Sequence, residues 1–258
     1  MSIEKLIEKS FNDLIKAITT DGTSSQLIFP HSNKGDVRRS EQELRQIFLR
    51  NVEEDKHYFY SIETPTEYGY RFKDSKNLEV DKNHKKGKHQ AARFDVSLYN
   101  DKYELLNHIE FKYGNPKKKT PICKDFLKLA AEVKLTSEKK SFFVHYLCVK
   151  KENGWKSQTF PSLFKKYCNS IVDIEKSLKS STNQDNTKSL PEKLSKNLMN
   201  YLQNITVYLL CFFETSKSSL TYRFSLSDLK NYTVGTKYSD LKEKDWLNEE
   251  IFNSGEEI

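Results

Sequence analysis

Between Arg93 and Tyr113 the chain alternates apolar and polar residues in two short runs, which restricts this stretch to a pair of half-buried strands. Phe94, Val96 and Leu98 alternate with Asp95, Ser97 and Tyr99; Ile109, Phe111 and Tyr113 alternate with His108, Glu110 and Lys112. Paired as a hairpin, the two runs hold Asp95, Glu110 and Lys112 together on the polar face. Two carboxylates and an ammonium at a sheet edge suit a hard divalent cation and a water to be deprotonated. An acid two residues before a lysine carries little information by itself, since Glu132-Val133-Lys134 and Asp240-Leu241-Lys242 match as well. Only at Glu110 does the triplet lie in an alternating strand, follow another strand bearing an acid, and precede a helical segment.

The flanking segments complete an order of elements. Ser40 followed by Glu43 is a capping box that opens a helix, so Glu43 has two competing employments: holding the helix end, or assisting a metal. His57–Ile62 and Glu67–Phe72 read as strands paired across Thr64-Pro65. After the hairpin come a basic turn, a helix over Pro121–Leu135 with an apolar face, and a buried strand over Ser141–Val149. His145 in that strand reads as a packed core histidine.

These residues resemble the PD-(D/E)XK nuclease superfamily, the restriction-endonuclease-like fold. Arg93-Phe94-Asp95 stands where that family has its first metal-binding aspartate, with Phe94 in place of the nominal proline. Glu110-Phe111-Lys112 stands where it has the second acid and the lysine. The helix Arg39–Arg45 resembles the family's first helix, whose glutamate, here Glu43, assists the metal. The resemblance covers roughly Val37–Lys150 and implies an α/β fold: an αβββαβ core with a mixed central sheet flanked by helices. It further implies a magnesium-dependent endodeoxyribonuclease, with manganese as a substitute ion and a role in restriction or anti-phage defence, as a homodimer or with a partner protein. Asp95, Glu110 and Glu43 would bind the metal, and Lys112 would act with them in catalysis.

Charge is consistent with an anionic partner. The 258 residues carry a net charge of +7, and a positive balance favours nucleic acid or a membrane surface without choosing between them. Lys85, Lys86 and Lys88, in a run just upstream of Asp95, and Lys117, Lys118, Lys119, Lys124 and Lys128 after Lys112 are the candidate phosphate contacts. No apolar anchor accompanies the basic run, so DNA is expected before a membrane, and RNA is left open because phosphate contacts do not read the sugar. The four cysteines are widely spaced with no Cys-x-x-Cys pair, which predicts free thiols and a reducing, cytoplasmic setting. The start lacks the apolar core of a secretion signal, and no apolar run is long enough to cross a bilayer.

Residues 1–36 are expected to form an amphipathic helix and a loop, residues 37–150 the nuclease-like core, and residues 151–258 an elaboration of the same domain. Within the last, a flexible loop is expected over 176–193, a hairpin from Ile205–Phe213 to Leu220–Leu226, and a surface helix and tail over Leu241–Ile258. The alternative to catalysis is a silent nucleic-acid-binding or assembly subunit with the same fold.

Overall fold

A computed structural model describes residues 1–19, 27, 29–31, 33, 37–72, 78–81, 90–132, 140–181, 190–231 and 248–253. They form one eight-stranded mixed sheet with helices on both faces, in the order β2-β1-β3-β4-β5-β6-β7-β8. In chain order the elements are α1 (Ile3–Thr19), α2 (Glu41–Asp55), β1 (Phe59–Phe72), β2 (Leu78–Asp81), β3 (Gln90–Tyr99) and β4 (Leu105–Tyr113). They continue with α3 (Thr120–Glu132), β5 (Ser141–Val149), α4 (Glu152–Gly154), α5 (Phe160–Ser181), α6 (Leu190–Gln203), β6 (Ile205–Phe213), β7 (Ser218–Ser225) and β8 (Asn248–Asn253).

Two apolar layers hold the helices to the sheet. Ile3, Leu6, Ile7, Phe11 and Leu14 recur at helical spacing in α1, and Leu44, Ile47, Phe48 and Val52 do so in α2. These stripes meet Val96, Leu98, Ile109, Phe111, Phe142 and Val144 on one face of the sheet. Side chains from α3, α5 and α6, with Phe143, Val207 and Leu209, fill the other. α1 and α2 are also joined by a buried hydrogen bond, in which the Asn51 amide donates to Ser10 Oγ at 3.0 Å. α2 starts at the expected cap: Ser40 and Glu43 form a capping box, and Lys56 ends the helix in the left-handed region at φ 60.

β1, β3 and β4 run antiparallel in sequence, and β4, β5 and β6 are parallel, joined by crossovers through α3 and through α4–α6. β7 and β8 add antiparallel strands beyond β6, so the C-terminal part extends the same sheet.

Several sequence expectations change. The two strands foreseen across Thr64-Pro65 are one long strand, whose register against β3 slips between Pro65 and Gly69. Glu132 of α3 accepts hydrogen bonds from the Glu67 and Tyr68 N–H groups within that slip, both at 3.1 Å, satisfying donors that the ladder no longer pairs. The loop foreseen over 176–193 is helical at both ends, since α5 continues to Ser181 and α6 begins at Leu190. Ile174, Ser177 and Leu178 are buried, and that packing outweighs the loop-like composition. Asn248–Asn253, expected in a helix or tail, pair with β7 as a strand. Among the described residues no helix is long and apolar enough to cross a membrane.

Candidate active site

The site forms where β3 and β4 part. Their ladder runs from Tyr99 and Leu105 to Val96 and Ile109 and stops there, so Asp95 and Glu110 lie just beyond the last pair. Phe111 N–H faces that gap, and Asp95 Oδ2 accepts from it at 2.7 Å. The alternation of β3 also breaks at this point. Phe94, expected on one face with Val96 and Leu98, instead packs in the opposite layer and stacks on His108, with ring centroids 3.9 Å apart. A local departure from the pleat carries Phe94 to the other face and leaves the backbone around Asp95 without a β4 pair, while Phe94 keeps its register with Thr64 of β1.

Glu110 and Lys112, two residues apart on β4, point to the α3 face as their spacing requires. There α3 meets them with two residues one turn apart, Asp125 and Lys128. Lys128 Nζ donates to Glu110 Oε1 at 2.6 Å and to the Arg93 carbonyl at 2.8 Å, and lies 3.4 Å from Asp125 Oδ1. Its ammonium also sits 5.5 Å from the Phe94 ring centroid. Lys112 Nζ pairs with Asp125 Oδ2 at 2.9 Å. From the other side of the sheet Arg45 of α2 reaches Asp95 Oδ1 at 3.5 Å and Glu63 at 3.0 Å. The structure thus gathers Asp95, Glu110 and Lys112, and adds Asp125, Lys128 and Arg45.

Exposure differs within the group. The Asp95 and Lys112 side chains are 21% and 20% exposed, so both are reachable, whereas Glu110 at 4% lies beneath them. Burial pushes the Glu110 carboxyl well above the usual range; Asp125 and Asp95 push the same way, against Lys128. Asp95 is raised as well, by burial first and against the Phe111 N–H bond. Burial works to lower the Lys112 ammonium, but Asp125 and then Glu41 and Glu110 outweigh it and hold its pKa above the ordinary value. Lys128 behaves alike, with Asp125 and Glu110 opposing its desolvation.

Other candidates fall elsewhere. Glu43 is occupied at the helix cap: its Oε2 accepts from Ser40 N–H at 2.7 Å and from Ser40 Oγ at 2.9 Å. The α2 acid whose charge acts on Lys112 is Glu41, two positions before the residue that the helix pattern singles out. Lys128, expected as an exposed phosphate contact, is 7% exposed and belongs to the cluster. Lys119 pairs with Asp173 at 2.6 Å. Lys117 and Lys118 are exposed and Lys124 is half-buried, while Lys85, Lys86 and Lys88 lie outside the described residues. His145 is a core residue, bonded to Tyr167 Oη at 2.6 Å and to the Gly114 carbonyl at 2.5 Å.

Sequence reasoning passes over Asp125 and Arg45. Asp125 sits three residues before Lys128 on a helix otherwise read for its apolar stripe, and a lone acid on an amphipathic helix is ordinarily a solvated charge. The cysteines are free thiols, as expected. Comparison with protein-family models, with curated proteins and with solved structures finds no match to this chain.

The donor set can be weighed against magnesium. Among the described residues no three His, Cys, Asp or Glu side chains are grouped as a self-sufficient metal cage. Magnesium does not demand one, because it keeps several waters and is held through one or two carboxylates together with substrate phosphate. Asp95 and Glu110 supply that number, both oxygen donors, one of them partly exposed. In donor type and number these residues match such an ion, with Asp95 Oδ2, Asp95 Oδ1 and Glu110 Oε1 engaged by Phe111 N–H, Arg45 and Lys128.

Proposed function

We propose that the protein is a magnesium-dependent nuclease that hydrolyses DNA phosphodiester bonds. One observation carries the reading: the parting of β3 and β4 at Asp95, which leaves Asp95, Glu110 and Lys112 together in the interior of the sheet with Asp95 and Lys112 still partly exposed. The resemblance of Arg93–Asp95 and Glu110–Lys112 to the PD-(D/E)XK superfamily supports it, and so does the helix, three-strand, helix, strand order from α2 to β5, with β2 inserted. The restriction-endonuclease-like core is part of the same proposal.

Asp95 and Glu110 would hold the ion. When bound it neutralises phosphate charge and lowers the proton affinity of a coordinated water. Lys112, kept charged by Asp125, is suited to stabilise negative charge gathering on the scissile phosphate. Arg45 fixes the second oxygen of Asp95, and Lys128 fixes one oxygen of Glu110, so both carboxylates are oriented before substrate arrives. A phage-defence role and a partner chain enter through the resemblance alone.

A specific observation favours a second reading. Lys128 already sits on Glu110 Oε1, which partly neutralises a carboxylate that the metal needs. In that reading the cluster is structural and the protein binds nucleic acid without cutting it.

The test is cleavage of supercoiled plasmid, linear duplex, and single strands of DNA and RNA, with magnesium, manganese or chelator. Magnesium-dependent cutting of DNA that disappears in Asp95→Ala is the expected result. Cutting of RNA alone would move the substrate, and absence of both cutting and magnesium binding would favour the silent subunit.

A further inference from the structure

The parallel strands β4, β5 and β6 end on the same side of the sheet, and their exits are laced together. Gly114 N–H donates to the Tyr146 carbonyl at 3.0 Å, Glu214 N–H to the Val149 carbonyl at 2.9 Å, and Thr215 N–H to the Lys150 carbonyl at 3.2 Å. The start of α2 joins this rim, since Tyr146 Oη donates to the Ser40 carbonyl and Arg39 pairs with Glu214. On it stand Lys117 and Lys118 after β4, Lys150 and Lys151 after β5, Lys217 in the β6–β7 turn and Arg38 before α2, all exposed. The acids of these turns, Glu152 and Glu214, are half-buried, and Glu214 is neutralised by Arg39. The sequence pattern singles out only the first of these lysine groups.

We propose that this rim is a second nucleic-acid contact, a backbone track that holds the duplex away from the point of cleavage. The inference rests on nucleic acid being the substrate. Lys112 is in register with His145 of β5, and Lys150 lies five residues further on, one past the end of that strand. At a rise of ~3.3 Å per residue the rim at Lys150 stands ~16 Å beyond the site. That is roughly five steps of a duplex at ~3.4 Å each. Exposed ammonium groups in three successive turns suit phosphates and carry no base reading, so the rim fixes position and adds affinity without sequence preference.

The experiment is fluorescence anisotropy with a labelled duplex of about 20 base pairs, some two helical turns, and the full chain carrying Asp95→Ala, which prevents cutting during the measurement. Lys150→Glu/Lys151→Glu/Lys217→Glu is compared with a charge-matched control, Lys5→Glu/Arg50→Glu/Lys102→Glu, placed on α1, α2 and the β3–β4 turn. Circular dichroism melts confirm that both variants fold. The rim variant should bind at least about tenfold more weakly, with a salt dependence shallower by ~0.9 in log–log slope for each phosphate it no longer neutralises, and the control should bind like the parent. Equal weakening in both variants, or unchanged binding by the rim variant, overturns the proposal. So does a rim variant that fails to bind phosphatidylserine vesicles while keeping DNA. Should the native chain cut none of the substrates and bind no magnesium, rim-dependent binding by the Asp95→Ala chain would defeat the nuclease reading and leave the track standing.

Discussion

At the level of single residues, the cluster is built from charges that each need another. Lys128 and Glu110 are both deeply buried, and breaking such a pair by removing one partner leaves an uncompensated charge in a poorly solvated place. Lys128→Met should therefore destabilise the fold by about 3 kcal/mol in urea unfolding. Adding Glu110→Gln to it should restore much of that stability, because the orphaned carboxylate is gone. Lys112→Ala should behave differently: its side chain is partly exposed and Lys128 still faces the buried Asp125, so cleavage should vanish at a smaller cost in stability. His145 gives a pH signature of its own. Burial first of all holds its imidazole down at about 4, against a bond to the Gly114 carbonyl, so it is neutral in the folded chain and protonates more readily unfolded. Its folded pKa lies below the unfolded one, so its contribution is present above pH ~6.5 and is lost as pH falls towards 4. The difference in stability between the native chain and His145→Gln should shrink across that window, by up to about 3 kcal/mol.

Elements explain why the charged groups converge. β3 and β4 pair as a hairpin as far as Val96 and Ile109, and the site exists because they then separate. Asp95 offsets the cost by accepting the stranded Phe111 N–H, so one carboxylate repairs the sheet with one oxygen and faces Arg45 with the other. α3 contributes in the same economical way: one turn presents Asp125 and Lys128 to β4, and its end presents Glu132 to the slip in β1. α2 contributes Arg45 but keeps Glu43 for its own cap. Glu43→Ala should cost about 1 kcal/mol in urea unfolding and leave magnesium-dependent cleavage within a few-fold of the parent. A complete loss of cleavage in that variant, with stability unchanged, would return Glu43 to the metal.

Across the whole molecule the sheet sets one helical layer against each face, and the cluster sits where both layers reach it, α2 from one side and α3 from the other. Binding of an ion only to the folded chain raises its stability by mass action. At about a hundredfold excess over its dissociation constant magnesium should add about 2.7 kcal/mol, a rise of several degrees in melting temperature. That rise should be absent in Asp95→Ala. A silent subunit would show no magnesium-dependent shift in either chain.

Local pattern decided much of this protein. Period-2 alternation marked β3 and β4 and placed Glu110 and Lys112 on one face; helical periodicity marked α1, α2 and α3; Ser40 and Glu43 marked the cap. Each of these depends on neighbours a few residues apart, which a sequence displays directly. Tertiary structure alone decided which charges meet. Lys128 looks like any solvated lysine of a basic helix until α3 is laid across β4, 18 positions from Glu110. Arg45 and Asp125 become part of the site for the same reason, and Phe94 changes faces because β3 and β4 part at a point that neither strand's own alternation reveals. A buried ion pair or a break in a ladder is a relation between distant segments, and its energy exists only once packing has removed the water between them.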